Sequence, residues 1–148
     1  MRWVDMTIKQ LSIFVENEAG KLVEALETLA DAKIDMRALS LADTENYGIL
    51  RIIADKPEQA LTVLSDAGFV VKVTDVIPVA VGDKPGGFAA VLRILADAGI
   101  DVEYTYAFVA HSHDSAYVIL RVSDNDAAVN VLTKGDVTIL TPEKIYEM

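Results

Sequence analysis

A chain that repeats itself in register must build the same supersecondary unit twice, and neither copy can bury its apolar face without a neighbour. Here Asn17-Glu18-Ala19-Gly20-Lys21-Leu22 is answered 66 positions on by Asp83-Lys84-Pro85-Gly86-Gly87-Phe88. At the same offset Leu26, Leu29, Ala30, Ile34 and Asp35 meet Leu92, Leu95, Ala96, Ile100 and Asp101. The second copy then gains four residues, after which Tyr47-Gly48-Ile49-Leu50-Arg51-Ile52 matches Tyr117-Val118-Ile119-Leu120-Arg121-Val122. Farther on, Ala60, Leu61 and Leu64 meet Ala128, Val129 and Leu132. The two repeats divide the chain at residues 6–75 and 76–148.

Periodicity assigns the elements. In the first copy Ile8–Val15 is a strand, and Lys21–Asp31 is a helix whose Leu22, Leu26, Leu29 and Ala30 share one face. Ile34–Ala42 is a second strand, Asp43–Asn46 a hairpin turn and Tyr47–Ala54 a third strand. Asp55-Lys56-Pro57-Glu58 opens a second helix with an acidic cap and an early proline, and Val70–Val73 is a fourth strand. Residues 76–140 repeat the plan, with Ser123-Asp124 as the corresponding cap. A βαββαβ order with right-handed crossovers places both helices on one face of a four-stranded antiparallel sheet, the ferredoxin-like arrangement of the α+β class. Units of ~65 residues are marginal alone. No Gly/Ser linker separates Val70 from Val81, so the copies are not independent beads, and Pro78 there requires a strand edge or an irregularity.

Composition narrows the chemistry. The 148 residues are 52% hydrophobic and contain no cysteine, which removes disulfides, thiol nucleophiles and Cys-ligated metal sites. The formal charge of −10 is spread over both halves with no Lys/Arg cluster, which argues against nucleic acid or anionic membrane as partners. Without a membrane-spanning apolar run or a signal-peptide core, the chain reads as cytoplasmic. Small molecules and proteins remain as partners.

Both copies place a polar turn ending in glycine between first strand and first helix. A helix start offers unpaired N–H groups and the positive end of the helix dipole to a carboxylate, while an Asn or Asp side chain accepts from an ammonium group. Such a loop has the groups to hold both ends of an α-amino acid. The plainer alternative makes Asn17 and Asp83 helix caps or turn formers, with the glycines allowing the bend.

Val15-Glu16-Asn17-Glu18-Ala19-Gly20-Lys21-Leu22 and Val81-Gly82-Asp83-Lys84-Pro85-Gly86-Gly87-Phe88 resemble the loop motif of the ACT domain family. Ala30–Asp35 and Ala96–Asp101 resemble that family's approach to its second strand. The resemblance spans about residues 6–140. It implies two modules side by side, their second strands joining into an eight-stranded antiparallel sheet with helices on one face, and an effector held between the first loop of one module and the second strand of its neighbour. Carried over, the site residues are Asn17, Ala19, Gly20, Lys21 and Leu22 with strand 102–108, or Asp83, Lys84, Pro85, Gly86, Gly87 and Phe88 with strand 36–42, Ser40 included. Ala19 departs from the family's usual proline, whereas Pro85 keeps it.

Period-two alternation puts Val102, Tyr104, Tyr106 and Phe108 on one face of the second repeat's second strand, where the repeat-one equivalents are Met36, Ala38, Ser40 and Ala42. Tyr104 and Tyr106 are then either packing residues or pocket walls. His111 and His113, with Asp114, invite a zinc reading but lack further ligands at a recognised spacing, so no metal or cofactor is expected. No phosphate loop, nucleophile elbow or zinc-protease motif is present, and Arg51 and Arg121 occupy equivalent strand positions that suit a structural role. The sequence therefore reads as a non-catalytic regulatory protein that binds a free amino acid and forms a homodimer covering its partly apolar sheet faces. A constitutive interaction subunit of an amino-acid-metabolism enzyme is the alternative.

Overall fold

The computed structural model describes residues 6–109 and 115–148. The first repeat runs β1 (Ile8–Glu16), α1 (Lys21–Asp31), β2 (Met36–Asp43), β3 (Tyr47–Ala54) and α2 (Pro57–Asp66) into β4 (Val70–Gly82). The second continues from β4 through α3 (Gly87–Asp97), β5 (Val102–Ala107), β6 (Ser115–Val122), α4 (Asn125–Lys134) and β7 (Thr138–Ile139), followed by a short helix, α5 (Pro142–Tyr146). There are seven strands among the described residues rather than the expected eight. With no breaker between Val70 and Val81, the last strand of one repeat and the first of the next are one β4 of 13 residues.

Two compact units result. The first holds Lys9–Thr74 with Tyr146–Met148, and the second holds Asp75–Ile145 with residues up to Ile8. The first has strand order β2-β3-β1-β4, the second β7-β4-β6-β5, the ferredoxin-like order in each case. Alternate residues of β1 (Leu11, Ile13, Val15) and β3 (Leu50, Ile52, Ala54) meet Ala25 and Leu29 of α1 and Ala60 and Leu64 of α2. The second core is built alike, from Ile77, Val79 and Val81 of β4 and Val118, Leu120 and Val122 of β6 beneath Val91, Leu95, Ala128 and Leu132. Each such buried aliphatic side chain contributes about 1.5–3 kcal/mol, so these faces dominate the stability of each unit. No helix among the described residues is long and apolar enough to cross a membrane.

Local ties repeat as well. Asp55 N–H donates to Asp35 C=O (3.0 Å), and Asp35 N–H donates to the Asp55 carboxylate (2.9 Å). Ser123 N–H donates to Asp101 C=O (3.0 Å), and Asp101 N–H donates to the Ser123 hydroxyl (3.2 Å). Asp55 is thereby used to hold the approach to β2 and is not the cap of α2, whose N-cap is Lys56 ahead of Pro57. Asp124 does cap α4, accepting from Ala127 N–H at 3.0 Å. Pro78 lies within β4 where its carbonyl accepts from Leu140 N–H, just past the two-residue β7, so its missing donor falls where the ladder ends.

Strict alternation fails at one place in each second strand. The register of β2 shifts between Met36 and Ala38, and that of β5 between Val102 and Tyr104, the equivalent position. Each shift is a one-residue bulge that moves the following side chains to the other face. Met36 and Val102 therefore pack on the helix-side cores, while Tyr104 and Tyr106 align with Arg121 and Ile119 on the opposite face. The expectation that Val102, Tyr104, Tyr106 and Phe108 share a face is corrected accordingly.

The bulged residue of β2, Arg37, is nearly buried. Its guanidinium donates to the Asp35 carboxylate (2.6 Å) and to the Tyr146 carbonyl (3.1 Å), and the Tyr146 hydroxyl accepts from Lys9 N–H (3.1 Å). Bonds from a charged donor of this kind contribute about 1.5–3 kcal/mol. Arg37→Ala and removal of Tyr146–Met148 are each expected to lower unfolding free energy by about 1–3 kcal/mol, read from urea midpoints. The double change should cost less than the sum, because both sever one contact. Strict additivity would show that the clamp does not act as a unit.

Candidate functional site

The two first loops have the same backbone. Glu18 N–H donates to Glu16 C=O (2.8 Å) and Lys21 N–H to Glu18 C=O (3.2 Å); 66 positions on, Lys84 N–H donates to Gly82 C=O (2.9 Å) and Gly87 N–H to Lys84 C=O (3.0 Å). Each helix is capped by a left-handed glycine, Gly20 at φ 88° and Gly86 at φ 83°, and neither start is covered by a capping side chain. The first-turn N–H groups beyond Lys21 and Gly87, which are used within the loops, thus retain their capacity to bind an anion. Asn17 and Asp83 are accordingly not the helix caps.

In the first unit Asn17 reaches the β2–β3 hairpin instead, its Nδ2 donating to Thr44 C=O at 3.4 Å. Thr44 is itself fixed, its hydroxyl donating to Tyr47 C=O at 2.6 Å. The register puts Val15 opposite Gly48 and Gly48 opposite Asp43, so the end of β1, the hairpin and the start of α1 flank an open cavity of about 350 Å³. Val15, Leu22, Leu41 and Ala42 supply its apolar lining, and Glu16, Glu18 and Asp43 its charged one. Asn17 and Gly48 complete it, with Asn17 Oδ1 lying 3.9 Å from where a Gly48 Cβ would stand.

Of the expected site residues, Asn17 and Leu22 line this cavity. Lys21 turns to an adjoining cleft of about 240 Å³ that shares Val15 and Glu16 with this cavity and is also lined by Phe14, Tyr47 and Phe69; there it pairs with Glu24 at 3.6 Å. Ala19 and Gly20 are exposed on the turn, and Ser40 is half-buried opposite Arg51. Asp43 and Gly48 were not anticipated, and Leu41 and Ala42, expected within strand 36–42 opposite the second loop, lie beside the first loop of their own repeat. The missing signal was the register, which seats the first loop against its own repeat's hairpin.

In the second unit Asp83, Lys84, Pro85 and Gly86 are exposed, Gly87 is half-buried, and Phe88 packs on the core. A Cβ at Gly87 would stand 2.1 Å from the Gly82 carbonyl oxygen, so this loop closes more tightly than the first. Its matching hairpin, with His111 and His113, lies outside the described residues. Tyr104 and Tyr106 are half-buried and stacked at 6.5 Å. Among the described residues no group of three or more His, Cys, Asp or Glu is placed to hold a metal ion.

β2 is paired with β3 alone and β5 with β6 alone among the described residues. The direct pairing of second strands implied by the resemblance is therefore not made among these pairings.

This doubled βαββαβ frame with its glycine-capped loops defines a class, and the comparisons agree: a family model described as an ACT domain pair matches residues 6–148. The chain belongs to the ACT domain pair family. Among solved structures, protein BT0572 from Bacteroides thetaiotaomicron is similar with 37% identity and a TM-score of 0.90, over 97% of this chain and 98% of that one. The regulatory subunits of aspartate kinase from Thermus thermophilus and Thermus flavus share the fold at 17% and 16% identity. Both have a TM-score of 0.61, over 88% and 89% of this chain and 93% and 94% of theirs. No curated protein matches the sequence.

The loop geometry ranks three substitutions. Gly87→Ala should be the most damaging, about 2–4 kcal/mol, because backbone must move. Gly20→Ala and Gly86→Ala meet open space, so only the left-handed backbone counts, about 1–2 kcal/mol each. Denaturant titration of the three variants checks the order; equal losses would contradict the tight closure at Gly82.

Proposed function

We propose that this protein is a non-catalytic regulator that binds a small effector, a free amino acid, at its first loops. The observation that carries the reading is the pair of equivalent loops, each leading into a helix start without a side-chain cap, one of them opening on a cavity. Amide donors at the helix start suit a carboxylate, and the Asn17 carbonyl oxygen or the Asp83 carboxylate suits an ammonium group. Leu22 or Phe88 would bear on the side chain.

The open edges of β2 and β5 extend the reading to assembly. Leu39 and Leu41 are exposed on β2, an apolar edge of the kind that pairs with another chain. A second copy adding strand to strand there would form a homodimer and bring a loop of one module to the second strand of another, with Ser40, Tyr104 and Tyr106 in reach. Binding at such a seam would favour whichever packing completes it and so alter contacts with an enzyme of amino-acid metabolism in the cytoplasm. The same edges favour a second reading, a constitutive interaction subunit with no ligand of its own.

A melting screen against the twenty amino acids at millimolar concentration separates the two. A ligand at 100 times its dissociation constant adds about 2.7 kcal/mol, a rise of several degrees. A stereospecific rise, lost in loop variants that still fold, is the expected result. A flat response to all twenty would remove the amino-acid reading and leave the interaction subunit. Sedimentation of a strict monomer at micromolar concentration would count against the dimer.

A further inference from the structure

The adjoining cleft of the first unit, into which Lys21 turns, is lined by side chains that the doubled fold does not need. Phe14 and Tyr47 form one aromatic wall, edge to face with ring centroids 5.5 Å apart, and Phe69 of the α2–β4 turn adds a further ring. Hydrogen bonds and register that recur in the second unit identify each counterpart. Phe69 N–H donates to Leu64 C=O and Val137 N–H to Leu132 C=O, both at 3.0 Å, so Phe69 answers Val137. Glu16 lies opposite Tyr47 and Gly82 opposite Ser115, so Tyr47 answers Ser115, and Phe14, two residues before Glu16, answers Ala80. The turn backbone matches too, with Gly68 at φ 93° where the second unit has Asp136 at φ 61°.

The second unit thus makes the same pairings and the same turn with Ala, Ser and Val in place of the rings. Nor are the rings spent on packing: Phe14 and Phe69 are half-buried, Tyr47 is 39% exposed, and Val70 beside them is 66% exposed. Lys21 and Glu24, a charged pair in the same lining, answer Gly87 and Ala90.

From this contrast we infer that the cleft is a site for a single aromatic ring on a small neutral ligand carrying a hydroxyl or a ring N–H. This goes beyond the effector reading and does not depend on it, since no part of the argument uses the two charged ends of an amino acid. A volume of about 240 Å³ lies below the roughly 300–1,000 Å³ of pockets for drug-sized molecules and suits one ring. Aromatic walls hold a ring by offset and edge-to-face contacts that a saturated ring of the same size does not make. Lys21 is held by Glu24 at 3.6 Å, and Glu16 adds a second carboxylate to the lining. The polar groups there accept from a hydroxyl or N–H and disfavour a ring that bears negative charge.

The test uses the full-length protein, labelled with nitrogen-15, and three probes: benzyl alcohol, cyclohexylmethanol, which keeps the hydroxyl but saturates the ring, and benzoate, which keeps the ring but carries a negative charge. Benzyl alcohol is expected to shift the amide signals of Gly68, Phe69 and Val70 saturably, and to bind about fivefold tighter than either of the others. Tyr47→Ser, the residue that the second unit uses at this place, should weaken benzyl alcohol about tenfold, and Tyr47→Phe should leave its binding unchanged. The bonds between Thr44 and Tyr47 use only the Tyr47 backbone, so both variants keep the hairpin.

Absence of saturable shifts with benzyl alcohol, equal binding of cyclohexylmethanol or benzoate, or unchanged binding in Tyr47→Ser overturns the inference. The effector reading is tested apart, by amino acids shifting Asn17, Leu41 and Gly48 of the loop cavity, so either can fail alone.

Discussion

The bulge at Arg37 sets the phase of β2, and the first-unit cavity exists because of that phase. Had β2 alternated strictly from Met36, Ala38, Ser40 and Ala42 would face the helices and Leu41 the other side. The extra residue reverses this, so Leu41 lies opposite Leu50, on the helix side, and comes to line the cavity with Leu22. A bulge in an isolated strand is easily lost to slippage. Here it is pinned by the Arg37 guanidinium on Asp35 and on the Tyr146 carbonyl. Tyr146, at the end of α5, thus helps to hold the phase of β2 that meets the first loop.

Duplication explains why the second repeat has the same bulge with a different guard. At the position of Arg37 stands Glu103, and it pairs with Arg121 at 3.4 Å across the neighbouring strand. That pair is substantially exposed, so solvent screens it, and it is a weaker pin than the nearly buried Arg37. Backbone features common to both copies, the glycine caps, the loop turns and the ties 35–55 and 101–123, are those that the fold cannot lose. Side chains at the loops face solvent and carry no such constraint, and there the copies diverge in charge.

Much of this architecture was legible in the chain itself. The offset of 66, the helix faces and the first hairpin come from hydrophobic period and turn chemistry, which act locally. The third strands, aligned in the chain at an offset of 70, correspond in register at 68, with Leu11 opposite Ile52 and Ile77 opposite Leu120, so Arg51 answers Ile119 and not Arg121. Three further features were not legible. A continuous apolar run from Val70 to Val81 reads equally as two strands or one, and only pairing partners on either side decide. A bulge leaves no mark in a period-two pattern when Met36 and Ala38, or Val102 and Tyr104, are all acceptable on either face. Asn17 was legible as a polar loop residue, but its partner, Thr44 C=O, is a backbone atom 27 positions away and has no sequence signature.

The residues missed or assigned to the wrong loop for the same reason, Leu41, Ala42, Asp43 and Gly48, share a consequence. All lie on β2 or its hairpin partner, so the strand that Arg37 pins at one end forms the cavity wall at the other. A ligand filling that cavity, as proposed, would favour the phase of β2 that the clamp at Tyr146 also favours. Linkage makes such coupling reciprocal: if occupation of the cavity tightens the clamp, loosening the last residues must weaken occupation by the same factor. Tyr146 and the first loop, far apart in sequence, would then be two handles on one strand.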